Sequence, residues 1–541
     1  MVVPTVSTQS REQPARSFRP RLPERAVWVR MLAAVAGGLL VYAASPPRDL
    51  WWLVPLAFAV FAATLLGQRA KAGFGYGVLF GLAYMLPLLG WLLDFLGPQF
   101  GPFPWLGVGL VQALFTGLAG AGVARVSRLP AAPVWMAAVF VLGELLRSHV
   151  PFGGFPWGLL AFTQTGGALL PFASLGGPTL VSAAVALVGA ALAAIAVRLR
   201  RSVLRASGVR GLVGPAALVL VPLLAGSALW PLIGTDPNAG TAKVAAVQGN
   251  APNVGINLLS RDRELRRDHV VATERLAEQV RTGAAPRPDF VLLPEQVGSW
   301  GPSRTDPTLQ SLAAQLGVPI IAGGFSEHAD GSFHNSVVRW DPVRGATSEY
   351  VKQHLVPFAE TIPMRAVARL VTPFVDRFQQ DMVPGTEPGV MRGGPASVGI
   401  GLCFDVAYDD VFRGAARDGA TLLAVPTNNA WYGRSEMSYQ HLAMSQLRAV
   451  EHGRSVVVAA TSGISAIIQP DGTISERTQQ FTAHDLQATV PLRSTQTAAT
   501  VLGAAPEWAA ALVALAALAA TFRGSARQAV LRRAGADDER S

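Results

Sequence analysis

The chain has 541 residues, of which 50% are hydrophobic and 15% are charged. Its mean hydropathy of +0.34 is too high for a soluble protein of this length and predicts a membrane protein. The net charge of +10 does not indicate nucleic-acid binding, because basic residues concentrate in the tails and in the loops between apolar segments.

Residues 1–27 are rich in Arg, Pro and Ser and are predicted to form a disordered tail. Seven apolar segments follow, and an eighth lies near the C-terminus. Most have the roughly 20 apolar residues that a helix needs to cross the hydrocarbon core of a bilayer. The first has an Arg-rich flank but no signal-peptide cleavage site, so it is interpreted as an uncleaved anchor. We expect a multi-span α-helical membrane domain at 28–235 and eight transmembrane helices, at 28–45, 50–67, 73–96, 103–124, 132–146, 166–197, 211–234 and 504–522.

The Lys and Arg residues of the loops and tails predict the orientation, because cytoplasmic loops carry an excess of both. Twenty of them lie in the tails and in the loops of one side, against Arg48 and Arg147 on the other side. Both termini, including the tail at 523–541, are therefore expected in the cytoplasm. Seven crossings then place the soluble segment at 243–495 on the extracytoplasmic face.

The soluble segment alternates short β-type runs with amphipathic helical stretches, which predicts a layered α/β domain. Strands are predicted at 243–248, 289–294, 318–323, 335–340, 397–402, 421–425, 455–460, 464–469 and 486–490. Helices are predicted at 260–281, 307–316, 409–418 and 437–452.

Three candidate reactive residues stand at or near predicted strand ends, where loops of an α/β sheet usually build sites. Cys403 is the one cysteine of the chain, so an internal disulfide is excluded and the thiol is either a small buried hydrophobe or a nucleophile. Glu295 is either a base or an ordinary loop carboxylate. Lys352, one of three lysines among 45 basic residues, is either a site residue that needs a compact ammonium or a solvated strand-end lysine.

Together these three residues form a coherent set for acyl transfer. A thiol with a pKa near 8.5 is mostly protonated at neutral pH, so a nearby carboxylate has to take its proton. An ammonium stabilises the thiolate. The ammonium and a backbone N–H just past the cysteine can also hold the oxyanion that forms after attack on a carbonyl. Glu295 is thus the candidate general base and acid, Lys352 the electrostatic stabiliser and Cys403 the nucleophile.

At these residues the sequence resembles the nitrilase superfamily, whose members use a Glu-Lys-Cys triad on an αββα sandwich. Seven spans, an external domain and a closing span are similar to the layout of the apolipoprotein N-acyltransferase family, and this resemblance covers nearly the whole chain beyond the N-terminal tail. The motifs that carry it are Val247-Gln-Gly-Asn250, Leu293-Pro-Glu295, Lys352-Gln-His-Leu-Val-Pro-Phe-Ala-Glu360, Pro426-Thr-Asn-Asn-Ala-Trp-Tyr-Gly433, Gln440-His441, Arg448-Ala-Val-Glu451, Glu144-Leu-Leu-Arg147 and Gly154-Phe-Pro-Trp157.

The resemblance implies a ping-pong reaction at the bacterial cytoplasmic (inner) membrane. Cys403 would take an acyl chain from a membrane phospholipid, typically phosphatidylethanolamine, and form a thioester. The α-amino group of the N-terminal diacylglyceryl-cysteine of an apolipoprotein would then accept the acyl chain. The family analogy also implies a monomer, with its catalytic domain on the periplasmic face.

The same resemblance suggests roles for residues around the triad. Glu360 resembles a second family carboxylate that helps to position the lysine. The family often has Cys-Tyr-Glu, where this chain has Phe404 and Asp405 after the cysteine. The candidates to line the acyl or headgroup entrance, with loop packing as the alternative, are Asn428, Trp431 and Tyr432.

The polar residues of the membrane domain are interpreted as structural, and no metal or nucleotide site is predicted. A carboxylate at Glu144, near a membrane boundary, is costly unless it is paired, and Arg147 is its predicted helix-face partner. No His/Cys/Asp cluster has the spacing of a zinc site, and no Walker-type loop is present. Neither a metal nor a nucleotide cofactor is therefore predicted.

Two other functions remain open from the sequence. A membrane-tethered amidase would use the same triad, but water would resolve the thioester. A non-catalytic membrane scaffold would keep the nitrilase-like domain only to bind partners. A transporter is disfavoured, because so much of the chain is one external domain.

Overall fold

The structure, a computed structural model of the protein, describes residues 25–205, 209–252, 261–371, 375–376 and 380–538. The predicted disordered tail lies outside the described residues as far as residue 24. Its last three residues are helical, because the first helix begins at Arg25. The predicted boundary of this tail is therefore wrong by three residues.

Each of the eight predicted apolar segments contains a helix. In chain order the helices are α1 (Arg25–Ala44), α2 (Leu53–Leu65), α3 (Ala70–Leu88), α4 (Trp91–Phe100), α5 (Phe103–Val126), α6 (Ala132–His149), α7 (Ala173–Arg205) and α8 (Val213–Leu229). The last helix, which we number α15, spans Ala505–Asp538 and continues beyond its apolar part, Ala505–Phe522.

Among the described residues, five helices are long and apolar enough to cross a membrane, or six if the bent pair of α3 and α4 counts as one span. The five are Arg25–Ala44, Phe103–Val126, Leu170–Arg200, Val213–Leu232 and Ala505–Phe522. Helix α2 has only 13 residues. Helix α6 ends in a polar turn that contains Glu144, Arg147 and His149. Length and composition thus support a helical membrane domain with five or six spans, where eight were predicted.

The third predicted segment, 73–96, is not one continuous helix. Helix α3 ends at Leu88, and α4 leaves it at an angle of 82°. Pro87 and Gly90 lie at this break, and both residue types disfavour helix continuation. Because of the bend, α4 contacts the loop that follows Asn428 in the soluble domain.

The soluble domain lies between α8 and α15. Its described strands are β1 (Thr241–Gln248), β2 (Phe290–Leu292), β3 (Gly298–Trp300), β4 (Ile320–Glu327), β5 (Phe333–Asp341), β6 (Gly345–Val351), β7 (Val390–Met391), β8 (Val398–Ile400), β9 (Leu422–Thr427), β10 (Val456–Ala460), β11 (Ala466–Ile468), β12 (Ile474–Arg477) and β13 (His484–Pro491). Its described helices are α9 (Asp262–Thr282), α10 (Pro307–Leu316), α11 (Arg365–Val371), α12 (Asp409–Arg417), α13 (Met437–His452) and α14 (Ala498–Leu502).

The strands form two sheets that pack face to face. The first sheet has the order β13-β1-β2-β4-β5-β6, with β3 paired to β4, and the second has the order β12-β11-β10-β9-β8-β7. Strand β1 contacts β10, and β4 contacts β9. Helices α9 and α10 cover the first sheet, and α12 and α13 cover the second. The nitrilase-like αββα sandwich implied by the resemblance is therefore present.

The sheet edge that carries the site depends on a hairpin that was not predicted. Two backbone N–H groups, of Val343 and Arg344, donate to the Asp341 carboxylate at 3.1 Å and close a turn after β5. Gly345, with φ +78°, supplies the left-handed residue that this turn needs. Strand β6 therefore pairs antiparallel with β5 and delivers Lys352 at its end.

Helix α13 separates the second sheet from the membrane domain. It contacts β10 and β11 on one side and α7 on the other. Its 16 residues are almost all buried, although many are polar, because both of its faces are covered. The outer layer of the sandwich is thus also the surface on which the membrane helices rest.

Candidate active site

The turn that carries Cys403 follows β8 and is held from several directions. Cys403 has φ +52°, a left-handed conformation that non-glycine residues seldom adopt. The Asp405 carboxylate closes the turn by accepting the N–H of Leu402 at 2.9 Å. Helix α13 contributes His441, whose Nε2 lies 3.0 Å from the Cys403 carbonyl oxygen, and Arg448, which donates to two carbonyls further along the turn. This strained conformation is therefore fixed by its surroundings.

Glu295 lies just past β2 and is buried. One carboxylate oxygen accepts a hydrogen bond from the Asn335 amide at 2.7 Å. The other accepts the backbone N–H of Asn428 at 2.8 Å. The two oxygens are thus oriented by donors from different sheets, one in β5 and one just after β9.

Lys352 is buried beside two carboxylates. Its Nζ lies 2.9 Å from Glu360 and 3.5 Å from Glu295. Burial alone lowers the pKa of Lys352, but the charges of Glu360 and Glu295 outweigh it and hold the pKa well above its usual value. Lys352 is therefore a permanent ammonium at neutral pH.

Asn335, in β5, joins these charged groups and was not singled out in the sequence. Its amide nitrogen donates to Glu295 at 2.7 Å and to Glu360 at 2.5 Å. Its backbone carbonyl accepts the N–H of Lys352 at 2.9 Å. An asparagine inside a strand has no distinctive sequence signature, so only the β5–β6 pairing could have indicated it.

The thiol of Cys403 is buried among these charges. Burial raises the pKa of the Cys403 thiol, the Glu295 charge raises it further and the Lys352 charge lowers it. The net effect is a pKa above the usual range, so the resting thiol is protonated. A base is therefore needed at the moment of attack.

Asp405 connects the cysteine turn to residues on both sides of Lys352. Its carboxylate accepts the Tyr350 hydroxyl at 2.7 Å and the backbone N–H of His354 at 2.9 Å. These bonds hold the two segments, which are about 50 residues apart, in a fixed relation. Asp405 therefore holds the cysteine turn against the segment that contains Lys352, and its side chain is fully buried.

Phe404 packs against the membrane domain. Its ring stacks on Phe155 and Trp157 of the membrane-domain loop at 154–158, with ring centroids 6.0 and 6.4 Å apart. The Trp157 indole donates to Gln440 of α13 at 2.6 Å. The residue after the nucleophile thus contacts the loop between α6 and α7 directly.

The predicted ion pair of α6 holds that loop in place. Arg147 lies 3.6 Å from Glu144 and donates to the carbonyl oxygens of Trp157 at 2.5 Å and Gly158 at 2.7 Å. Glu144 accepts the N–H of Leu160 at 2.9 Å. Both charged side chains are buried, and their partners are backbone groups of the loop.

The three candidates for the substrate entrance occupy different environments. The Asn428 side chain is buried, donates to the Gln296 side chain at 2.5 Å and accepts from the Thr461 hydroxyl at 2.7 Å, so it joins its loop to two other segments. Trp431 and Tyr432 are half-buried. Their rings lie 5.8 and 5.3 Å from that of Phe95 in α4. These two aromatic residues therefore stand where the bent third segment meets the site.

In the part of the chain that the structure describes, no group of three or more His, Cys, Asp or Glu side chains could hold a metal ion.

Two protein families match consecutive parts of the chain. The family described as "Apolipoprotein N-acyltransferase N-terminal domain" matches residues 37–191, and the family described as "Carbon-nitrogen hydrolase" matches residues 277–500. The first match covers most of the membrane helices, and the second covers most of the two-sheet domain.

Full-length relatives carry both parts together. The apolipoprotein N-acyltransferase of Mycolicibacterium smegmatis is 36% identical over 491 residues, which cover 87% of this chain and 81% of that protein. That of Chromobacterium violaceum is 31% identical over 482 residues, covering 86% and 88%. That of Gloeobacter violaceus is 31% identical over 496 residues, covering 87% and 89%.

Proposed function

This chain belongs to the apolipoprotein N-acyltransferase family, and from that premise we propose that Cys403 carries an acyl chain from a membrane phospholipid to an apolipoprotein. The protein is an acyltransferase of lipoprotein maturation. The observation that carries the assignment of the site is the buried contact of Lys352 with Glu295 and Glu360, whose charges act on the Cys403 thiol.

In the first half-reaction the thiol attacks the acyl carbonyl of the phospholipid. Glu295 takes the thiol proton as the S–C bond forms, because the thiol is protonated at rest. The oxyanion is stabilised by the Lys352 ammonium and by the backbone N–H of Phe404. In the described part of the chain, this N–H has no hydrogen-bond acceptor within the protein. The C–O bond then breaks, and Glu295 returns the proton to the leaving lysophospholipid.

In the second half-reaction the amino group of the apolipoprotein attacks the thioester. Glu295 accepts a proton from the attacking amine, the N–C bond forms and the C–S bond breaks. Cys403 is released and regains its proton, so the cycle closes without a cofactor. A thioester preserves the acyl-transfer potential that an amine acceptor needs.

The lipid nature of both substrates is supported by the packing of the cysteine turn on the membrane domain. Phe404 stacks on Phe155 and Trp157, and Tyr432 contacts Trp91 and Phe95. Aromatic residues of the membrane domain therefore contact the loops next to the nucleophile. These contacts place the cysteine turn against the membrane domain, which supports lipid substrates for this site.

For the finer identity of the substrates, the family analogy supports phosphatidylethanolamine as the donor. It supports the N-terminal diacylglyceryl-cysteine of an apolipoprotein as the acceptor, and a monomer as the working unit. Glu360 and Asn335 hold Lys352 and Glu295, Asp405 holds the cysteine turn, and Trp431 and Tyr432 line the entrance.

In this proposal the protein crosses the bacterial cytoplasmic (inner) membrane eight times, with both termini in the cytoplasm and residues 243–495 on the periplasmic face. The charge bias of the loops supports this orientation. The exposed Trp508, in the first turn of α15, supports a membrane interface at the start of that helix, because Trp is enriched at membrane interfaces. In this arrangement the short α2 and the polar-ended α6 both cross the bilayer, shielded by neighbouring helices.

The test is transfer to a defined acceptor. Purified protein is mixed with phosphatidylethanolamine vesicles and a synthetic diacylated lipopeptide, and the mass of the lipopeptide is measured by mass spectrometry. The expected result is a gain of one acyl chain, which is abolished in Cys403→Ala and in Glu295→Gln.

The same assay separates the rival functions. Release of free fatty acid without acylation of the lipopeptide would identify a hydrolase. A Cys403→Ala variant that supports lipoprotein maturation in cells as well as the wild type would identify a scaffold. A lipopeptide with an acetylated amino terminus is the matched control, because it offers the same lipid without a nucleophile.

A further inference from the structure

His441 contacts the active-site turn from the side opposite to Glu295 and Lys352. It lies in α13, which covers the outer face of the second sheet, whereas the carboxylate and the ammonium come from the first sheet. Its Nε2 lies 3.0 Å from the carbonyl oxygen of Cys403, and its side chain is buried.

The chemistry of this contact fixes the state of the imidazole. A carbonyl oxygen only accepts hydrogen bonds, so Nε2 must carry the proton. Burial lowers the pKa of His441 to about 4, so the ring is neutral at physiological pH. His441 is therefore a fixed neutral donor and neither a base nor a charge.

The hydrogen bond from His441 orients the whole peptide group between Cys403 and Phe404. The carbonyl of Cys403 and the N–H of Phe404 belong to one planar trans peptide group, in which they point in opposite directions. Holding the carbonyl toward α13 turns the Phe404 N–H away from α13, toward the sheet that carries Lys352. The same bond polarises the peptide group, which strengthens its N–H as a donor.

The geometry points to His441 as a positioning residue that aims the Phe404 N–H at the oxyanion through the peptide group of Cys403. This inference rests on the proposed acyl-transfer function and adds to it a residue that acts on the transition state from outside the triad. The left-handed φ of Cys403 makes such a hold necessary, because the turn has no intrinsic preference for that conformation.

Two reactions of the same thiol test the inference. Acylation by phosphatidylethanolamine passes through an oxyanion, whereas alkylation by iodoacetamide displaces iodide and forms none. Both are followed on the single cysteine by intact mass. In His441→Leu we expect acylation to slow by about 10²–10³-fold, as for the loss of one oxyanion donor, and alkylation to keep the wild-type rate. His441→Gln places an amide nitrogen near the position of Nε2 and is expected to recover part of the loss.

A matched control separates positioning from helix stability. His452 lies in the same helix, is equally buried and bonds to the Thr500 hydroxyl at 2.9 Å instead of to the cysteine turn. His452→Gln is expected to retain the wild-type ratio of acylation to alkylation, whatever it does to the melting temperature.

The outcomes are distinct. Equal slowing of acylation and alkylation in His441→Leu would show that the histidine places the nucleophile and not the oxyanion donor, and an unchanged acylation rate would show that it places neither. Either result overturns the inference and leaves the proposed function standing. If the wild-type protein is alkylated but never acylated by phospholipid, the proposed function itself has failed.

Discussion

At the scale of single residues, the site depends on a buried cluster in which two carboxylates share one ammonium. Lys352 contacts Glu360 and Glu295, and the Asn335 amide donates to both carboxylates. Removing one member of a buried ion pair costs about 3–5 kcal/mol, because the remaining charge is left unpaired. A change that displaces Lys352 is therefore expected to displace Glu295 as well.

Asn335→Asp tests this dependence. The substitution keeps the shape of the side chain but replaces the shared donor with a third carboxylate. We expect acyl transfer to fall by about 10²-fold or more, since about 3 kcal/mol corresponds to that factor in rate. The measurement is the rate of acyl-enzyme formation. Gln353→Glu, an equal change of charge at an exposed amide of the neighbouring loop, should have little effect, and similar losses in the two variants would contradict the account.

The pH dependence of thiol alkylation tests the role of Glu295. Burial and Glu295 raise the pKa of Cys403, so little thiolate forms at neutral pH by loss of a proton to solvent. In the wild type the proton passes to Glu295 within the protein, a step that leaves the total charge unchanged. The alkylation rate should therefore be nearly flat from about pH 6 to 8.

In Glu295→Gln the proton must leave to solvent, so the alkylation rate should rise about tenfold per pH unit over the same range. Cys403 is the single thiol, so the label reports on this site alone. Parallel pH profiles for the two proteins would exclude Glu295 as the proton acceptor.

The three residues proposed to react could be selected from the sequence because their chemistry restricts their roles. A single cysteine, a rare lysine and a carboxylate at a strand end stood out in the sequence. Asn335 and His441 act through hydrogen bonds to other groups, and nothing local to their positions indicates this. Asn428 shows the opposite case, since the side chain of this motif residue is bonded to Gln296 and Thr461 and joins its loop to two other segments.

At the scale of elements, strongly patterned segments were predictable and weakly patterned ones were not. Helices α10 and α13 occupy the predicted ranges 307–316 and 437–452. Strands β6 and β12 were missed, because β6 is mostly half-buried, β12 is mostly exposed, and neither has an alternating apolar pattern. Strand β6 exists because a tight turn pairs it with β5, and that pairing brings Lys352 next to Asn335.

Gly323→Ala tests how closely the elements are packed around the base. A Cβ at this position of β4 would lie 2.7 Å from the Glu295 Cα and 2.8 Å from the Pro294 carbonyl oxygen. The backbone of Glu295 would have to shift, and we expect a loss of about 10²-fold in acyl transfer for a displacement near 1 Å. Gly414→Ala in α12 is the control, because its Cβ would make only an ordinary contact, at 3.7 Å, with Pro388. Equal activity of the two variants would contradict the expected displacement.

At the scale of the whole molecule, the catalytic domain and the membrane domain share buried contacts. The Tyr408 hydroxyl donates to the Gly154 carbonyl at 3.0 Å across a separation of 254 residues. Arg448 of α13, also fully buried, pairs with Asp409 at 2.8 Å and with Glu451 at 2.5 Å on the layer that faces α7. The Tyr408–Gly154 and Arg448–Asp409 contacts join distant segments, so no local pattern could have predicted them, whereas Arg448 and Glu451 lie three residues apart in one helix.

The orientation in the membrane can be tested because the chain has one cysteine. In a Cys403→Ala background, a single cysteine is introduced either by Ser303→Cys, in the soluble domain, or by Arg69→Cys, between α2 and α3; both positions are exposed. A membrane-impermeant maleimide should label the first in intact spheroplasts and the second only after permeabilisation, because the loop charges place them on opposite sides. The reverse pattern would invert the proposed topology.

The proposed reaction requires that the acyl chain passes through Cys403. The most direct measurement is the intact mass of the purified protein after mixing with phosphatidylethanolamine in the absence of an acceptor. We predict a mass increase of one acyl chain, located on Cys403, removed by hydroxylamine and absent from Cys403→Ala. Acylation of the lipopeptide by a wild-type protein that never shows this adduct, or an adduct on another residue, would contradict the account.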